Sequence, residues 1–325
     1  MTTYATANEV GQPGEGSPSI ENLPLVYVVI LNWNGYTDTA DCLKTCLTNR
    51  YPRTRLVVVD NGSSDGSELL LRSAFPEITV VQTGSNLGYA GGNNVGIRHA
   101  LDSGADYVVL LNNDTVVDPD FITSLVQIAT ADCRSGMLCS KIFFHDPPNA
   151  IWFAGAKLRP ILGWDHHLGH GQVDDGQYDQ VVETDRPTGC AMMVSRQLCE
   201  TIGLLREEMF CYAEDVDWGL RARSANYKVI YVPASKVWHK VTRSTGGVAS
   251  PISQYYSIRN ILLCLDLNLP LVFPLRVLRY ATVIGPYITT AIKLPGPRFR
   301  RLLAVIKGAS HYFQGRFGPL GEPRG

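Results

Sequence analysis

Three places in this chain carry residue types suited to metal-assisted chemistry on an anionic substrate. Leu110-Leu111-Asn112-Asn113-Asp114 delivers a carboxylate from the end of an apolar stretch, with two amides just ahead of it. Further on, Glu214-Asp215-Val216-Asp217-Trp218 concentrates three acids, and Val237-Trp238-His239 carries a lone imidazole. A carboxylate and an imidazole can share a Mg2+ or Mn2+ ion whose remaining positions go to phosphate oxygens and water. A second carboxylate nearby can take a proton from a hydroxyl. The combination suits an enzyme that handles a diphosphate through a divalent cation.

Each of these residues also has a plainer reading. An Asp after a strand commonly caps a helix, although Asp118, directly ahead of Pro119, is placed to fill that cap here. Glu214, Asp215 and Asp217 suit the first turn of a helix on electrostatic grounds alone. Asp217 and Arg221 are spaced to pair on a helix surface. Glu214 and Asp215 would point about 100° apart on a helix, so at most one aims at a reaction centre. Asp165-His166-His167, with His170 beyond, lacks the matching ligand pair of a zinc site and reads as a loop.

Such residues need a scaffold, and the hydrophobic pattern supplies one. Residues 25–31 form an apolar run typical of a strand covered on both faces. Helices are predicted over 37–48, from 65, and over 93–102; strands are predicted over 56–59, 78–81 and 107–111. This alternation is the pattern of a doubly wound, mostly parallel α/β sheet. Ligands bind such sheets beyond the carboxyl ends of the strands, where Asn32, Asp60, Asn86 and Asp114 fall. The Gly-rich stretch 86–94 opens a helix and offers backbone N–H groups to an anion, but it lacks G-x-G-x-x-G spacing. Residues 140–185 read as an irregular excursion. A strand at 191–194, a helix near Arg196, a helix over 214–225 and a strand at 229–232 follow.

The 325 residues suffice for one large domain with appendages. Charge is uneven: residues 251–325 hold ten Lys and Arg against Asp266 and Glu322, a net +8, which leaves −9 for the first 250 within a total of −1. Nucleic acid is not an expected partner. The eight cysteines include no C-x-x-C pair and read as buried free thiols in a reducing compartment. Residues 1–22 are polar and read as a disordered leader, not a signal peptide. The longest uncharged run of the tail, 280–292, is too short to span a bilayer. Basic residues interleaved with Leu, Ile, Phe and Tyr suit an anionic membrane surface. The alternative is a helical pair packed on the domain with a solvated basic face.

Taken in order, VVILNWNG (28–35), VVVDNGSSDGS (57–67), NLGYAGGNNVGI (86–97), VVLLNNDTVV (108–117), TGCAMMVSR (188–196), CYAEDVDWGLRAR (211–223), VIYVPASKVWH (229–239) and YYSIRN (255–260) form a recognisable series. It resembles the inverting glycosyltransferases of family 2, in particular the rhamnosyltransferase-like branch that builds bacterial cell-surface polysaccharides. The resemblance covers residues 25–260 and implies the GT-A fold over 23–250, with 251–325 as a helical basic tail. It implies that Asp60 contacts the donor nucleotide and that Asn32 and Asn94 lie beside the base or diphosphate; Asn86 and Asn113 are further candidates for donor binding. Asp114 falls at the metal-binding last position of the D-x-D motif, and Asn112 is an uncharged residue at its first. By the same match His239 completes the metal site, and Asp215, beside Glu214, is the catalytic base. Arg243 sits on a loop expected to close over the diphosphate.

The implied reaction moves a sugar, rhamnose by analogy, from a nucleoside-diphosphate donor to a hydroxyl of a glycan or polyprenyl-linked glycan. One displacement inverts the anomeric centre while Mg2+ or Mn2+ neutralises the leaving diphosphate. The implied location is cytoplasmic and peripheral on the inner face of the cell membrane, with a homodimer left open. A nucleotidyltransferase would carry a Gly-rich basic loop where this chain has Asn32-Trp33-Asn34-Gly35. A non-catalytic nucleotide-sugar-binding subunit would need neither Asp215 nor His239.

Overall fold

The computed structural model describes residues 19–159, 162–241 and 250–321. Its first half alternates as the pattern predicts: β1 (Val26–Asn32), α1 (Tyr36–Cys46), β2 (Thr54–Asp60), α2 (Ser67–Ala74), β3 (Thr79–Gln82), α3 (Gly88–Asp102) and β4 (Tyr107–Asn112). β1 pairs in parallel with β2 and β4, and β2 with β3. Consecutive side chains of β1 feed opposite cores. Val28 and Ile30 pack with Leu43 on one face, while Val29 packs with Ile97 on the other. A strand covered on both sides has no polar face to show, hence its unbroken apolar run.

The second half departs from a simple repeat. β4 turns back at once into β5 (Thr115–Val117), followed by α4 (Phe121–Ala131) and the long β6 (Ser135–Phe144). The excursion contains β7 (Ile151–Phe153), the hairpin of β8 (Ala156–Arg159) with β9 (Trp164–His167), and β10 (Val182–Glu183). β11 (Ala191–Ser195), α5 (Arg196–Ile202), α6 (Glu214–Ser224) and β12 (Lys228–His239) complete the sheet domain. The main sheet runs β10-β12-β6-β11-β4-β1-β2-β3. β11 enters antiparallel to both β4 and β6, so the sheet is parallel in its first four strands and mixed thereafter.

Three local expectations change. α3 starts at Gly88, not at residue 93. α4 starts at Phe121 with Asp120 ahead of it; Asp118 Oδ1 instead accepts the Asp120 N–H at 2.9 Å, so it shapes the turn without capping the helix. Of the expected leader, residues 1–18 lie outside the described residues, whereas Ile20–Asn22 form a single 3-10 turn whose Glu21 carbonyl accepts from Arg53.

The tail folds into α7 (Pro251–Asn268), α8 (Phe273–Lys293) and α9 (Arg298–Phe313). α7 is largely buried, and its Ile258 and Leu262 share a core with Val216 and Leu220 of α6. Three tail arginines, Arg259, Arg279 and Arg301, are buried to within 1% of complete. Arg279 donates to the carbonyls of Leu265 (3.1 Å) and Leu269 (2.7 Å), and Arg301 to those of Ala291 (3.2 Å) and Pro295 (2.9 Å). Helix ends leave carbonyls without intrahelical partners, and these guanidinium groups satisfy them. Arg301 is therefore an interior residue, unlike its exposed neighbours Arg298 and Arg300. Among the described residues no helix is long and apolar enough to cross a membrane.

α3 lies close on β1 and β2 because Gly96 faces them. A Cβ there would stand 2.3 Å from Val29 Cγ1 and 2.9 Å from Val59 Cγ2. Gly96→Ala is expected to destabilise the protein by about 1–3 kcal/mol through overpacking. Urea denaturation checks this through a lower midpoint at unchanged slope.

Candidate active site

Asp114 and His239 meet through strand pairing. Asn113 and Asp114 form the turn between β4 and β5. β5 runs antiparallel to the end of β12 with His239 opposite Thr115, and the Lys240 N–H donates to the Asp114 carbonyl at 2.9 Å. His239 Nε2 consequently sits 3.1 Å from Asp114 Oδ1. Adjacent ligands on an octahedral ion with bonds of about 2.1 Å are separated by about 3 Å, so this spacing fits a shared Mg2+ or Mn2+. The other ring nitrogen, Nδ1, is buried with no hydrogen-bond partner among the described residues. An ion shared with Asp114 would engage Nε2 and leave Nδ1 as it is, so its fit rests on the Nε2–Oδ1 spacing and on the chemistry of the two donors. Among the described residues no group of three or more His, Cys, Asp or Glu is set to hold a metal. Asp114 and His239 would thus supply two ligands to such an ion, with its remaining positions open to phosphate and water.

The catalytic candidate is tied to that pair by one dipeptide at the head of β11. The Gly189 N–H donates to Asp215 Oδ2 at 2.9 Å. The next residue, Cys190, is buried beside His239, and its carbonyl accepts from Asn112 N–H at 2.9 Å. Successive Cα atoms lie about 3.8 Å apart, so Asp215 and the Asp114–His239 pair flank a single short stretch of backbone.

The three acids of α6 have separate fates. Asp217 is fully buried between Arg206 Nε (3.0 Å) and Arg221 Nε (2.8 Å), with Asn268 Nδ2 at 2.8 Å. It pairs with Arg221 as expected, but in the interior instead of on the helix surface, and joins α6 to α7. Glu214 is also buried, and its Oε2 has no partner among the described residues. Burial, followed by the charge of Asp215, pushes its acid well above the usual carboxylate range. Asp215 alone keeps an open face, with Arg186 Nη1 at 3.8 Å. It is the acid of the three that an acceptor hydroxyl can reach.

Across the strand ends runs a continuous hydrogen-bonded line. Asn113 Nδ2 donates to Thr39 Oγ1 (3.0 Å), which donates to Asn32 Oδ1 (2.7 Å), whose Nδ2 donates to Asp60 Oδ2 (2.7 Å). Asp60 Oδ1 accepts from Ser63 N–H (2.9 Å) and Gln82 Nε2 (3.0 Å). Asn32 and Asp60 have no exposed surface, and Gln82 covers the outer side of Asp60. Asn86 Oδ1 accepts from Gly88 N–H (2.8 Å) and Asn61 Nδ2 (3.1 Å), which closes the entry to α3.

Two readings of the Gly-rich stretch need correction. Asn94 directs both amide hydrogens at Leu205 O and Glu207 Oε1, each 2.9 Å away, and its Oδ1 accepts from Leu205 N–H. Its part is to tie α3 to the segment before α6, not to contact a donor. The first turn of α3 is likewise engaged by the protein itself: Ala90 N–H donates to Phe210 O at 3.0 Å, and a Cβ on Gly88 would lie 2.3 Å from that oxygen. These glycines permit close packing and leave no open anion cradle at Gly88 and Ala90. Arg243 lies outside the described residues.

Sequence reasoning missed Tyr89, Arg186, Gly189 and Cys190. Tyr89 of α3 donates its hydroxyl to Gly189 O at 2.5 Å and so fixes the dipeptide from behind. The signal was present in the motif 188–196, but nothing in a linear pattern says that its first residues touch both Asp215 and His239.

The family model described as "Glycosyltransferase like family 2" matches residues 24–253. The chain is 28% identical over 210 residues to an N-acetylglucosaminyl-diphospho-decaprenol L-rhamnosyltransferase of Mycobacterium tuberculosis, covering 59% of this chain and 68% of that relative. It is 25% identical over 263 residues to a dTDP-rhamnosyl transferase of Shigella flexneri, covering 77% and 83%. In fold it is similar to a mannosyltransferase of Pyrobaculum calidifontis solved with GDP-Man and Mn2+. That match has a TM-score of 0.58 at 15% identity and covers 94% of this chain and 91% of that one.

His239 supplies a test of the metal assignment. Burial opposes charge on the ring, but Cys190 and Asp114 more than offset it and push its pKa up to about 10. A metal must displace that proton, so Mn2+ affinity is expected to fall up to about tenfold for each pH unit below that value. Equilibrium Mn2+ titrations at about pH 6.5 and about pH 8.5 check the slope. An affinity that ignores pH would remove His239 from the ligand set.

Proposed function

The chain belongs to glycosyltransferase family 2, and we propose that Asp114 and His239 hold the cation of its nucleotide-sugar donor while Asp215 deprotonates the acceptor hydroxyl. The observation that carries this reading is the Gly189-Cys190 dipeptide, with Asp215 on one side and His239 on the other. A Mg2+ or Mn2+ ion held there would supply charge neutralisation for the departing nucleoside diphosphate. Asp215, oriented by the Gly189 N–H, takes the acceptor's proton as its oxygen attacks the anomeric carbon from the face opposite the diphosphate. Asn32, Asp60 and Asn113 belong to one hydrogen-bonded line along the nucleotide side, where Gln82 must swing aside for a base to reach Asp60. Asn112 holds its place through the Cys190 carbonyl and leaves the charge of the motif to Asp114 alone.

The sugar proposed is rhamnose, supported by the Mycobacterium tuberculosis and Shigella flexneri relatives. The acceptor proposed is a glycan on a polyprenyl diphosphate, supported by the Mycobacterium tuberculosis relative, an N-acetylglucosaminyl-diphospho-decaprenol L-rhamnosyltransferase. A cavity of about 580 Å³ between the β8–β9 hairpin and α7–α8 suits part of such a molecule. Arg159 and His166 line one wall, and Ile261, Val283 and Pro286 line the other.

Asp215→Asn is expected to lower kcat by about 10²–10⁴-fold while Mn2+-dependent donor binding stays unchanged. Radiolabelled transfer and donor titration measure the two separately. Near-normal turnover would overturn the base assignment.

The same reading places the tail on an anionic membrane surface at the cytoplasmic side. Of the 21 large apolar side chains exposed among the described residues, 12 lie beyond residue 266, and Phe273 (79%) and Phe299 (72%) are the most exposed of those. Arg298 and Arg300 flank Phe299, and Arg276 follows Phe273 by less than a helical turn, also exposed. Apolar side chains set among cations match the acyl boundary and the charged headgroups together. In flotation with phosphatidylglycerol vesicles, Phe273→Ser/Phe299→Ser is expected to lose most of the binding that the native chain shows. Equal partitioning of the two would sink the membrane reading.

A further inference from the structure

The acids of α6 hang from a backbone conformation that L-residues avoid. Phe210, Tyr212 and Ala213 have φ of 64°, 69° and 68°, and none is glycine. Three such residues within four positions persist only when their surroundings force them. Only Glu214 separates the last of them from Asp215, so the loop sets where the helix starts and where that carboxylate points.

What forces the loop comes from the tail. Asn260 of α7 is fully buried, and its Nδ2 donates to the carbonyls of Met209 (2.6 Å), Cys211 (2.7 Å) and Tyr212 (2.9 Å). Its Oδ1 accepts from Arg259 Nε at 2.8 Å, which fixes the amide with its hydrogens toward the loop. Arg259 Nη2 donates to Met209 O at 3.0 Å and Nη1 to Gly318 O at 2.7 Å, while Gly318 N–H returns to Glu208 O at 2.7 Å. The guanidinium packs over Tyr256 at 4.9 Å, and that ring stacks on Phe210 at 5.2 Å. One side-chain pair thus gathers the carbonyls on both sides of the strained residues.

We propose that Arg259 and Asn260 are positioning residues for Asp215: by holding residues 209–213 in their left-handed conformation they aim that carboxylate at the acceptor. The proposal rests on Asp215 being the base. It assigns the tail a part in catalysis separate from any membrane contact. It also rules out deletion of α7 as a neutral control, since the loop would lose its clamp.

A double-mutant cycle on the full chain tests it. Asn260→Ala is expected to lower kcat roughly 10–100-fold, the scale of a misplaced catalytic group, with the Mn2+-dependent donor Kd within about twofold. In an Asp215→Asn background the same change is expected to alter kcat by less than about twofold, because the group it positions is already disabled. Equal losses in both backgrounds, or loss of donor binding, would mark Asn260 as a structural anchor and overturn the proposal. So would an unaltered kcat in Asn260→Ala. If Asn260→Ala fails to fold, Arg259→Lys, which keeps the charge but loses the fork, enters the same cycle. A wild-type rate in Asp215→Asn alone would overturn the base assignment and this proposal with it, an outcome distinct from a flat response to Asn260→Ala.

Discussion

The antiparallel pairing of β5 with the last residues of β12 is the contact on which the site depends. It sets His239 opposite Thr115 and so brings its ring to Asp114 across more than a hundred residues of chain. Strand side chains alternate between faces, so a register slip of one residue would turn His239 away from Asp114 altogether. β12 reaches this point only after a register shift between Val232 and Lys236, where Ser235 Oγ meets Ser140 Oγ at 2.7 Å. The irregularity lets one strand serve the core in its first half and the Asp114–His239 contact at its end.

The acids of α6 illustrate how environment assigns roles to identical chemistry. Asp217 faces two guanidinium groups in the interior and holds helices together. Removing it would take away the carboxylate that Arg221 pairs with, while Arg206 would keep Glu208 at 3.8 Å. Glu214 is buried, and that burial pushes its acid well above the usual carboxylate range. Asp215 lies at the crevice with a backbone N–H to orient it. Divergent surroundings of neighbouring carboxylates are what separate a base from its supports.

Much of the first half was legible because each element carries its own signal. β1, β2 and β4 each carry an apolar run that ends in Asn or Asp, and helices α1 to α3 fall between them with turn residues at the joints. The chemistry-bearing residues Asp114, Asp215 and His239 were legible as types, and the family resemblance ordered them. What escaped depends on partners distant in sequence. Asn94 looks like a donor ligand until Leu205 and Glu207 occupy its amide. The glycines near 88 look like an anion cradle until Phe210 arrives against them. Arg301 looks like surface charge until it closes the end of α8. β12 extends well past its apolar run because β5 and β6 both supply hydrogen bonds there.

The sheet, the strained loop and the tail therefore converge on one small volume, where strand pairing sets Asp114 beside His239 and the loop leads into Asp215. Electron–nuclear double resonance of Mn2+ bound together with a nucleoside diphosphate addresses the centre of this account. The account predicts a nitrogen coupling from one imidazole and phosphorus couplings from the diphosphate, with the nitrogen signal lost in His239→Ala. Phosphorus couplings with no nitrogen coupling in the native protein would contradict it.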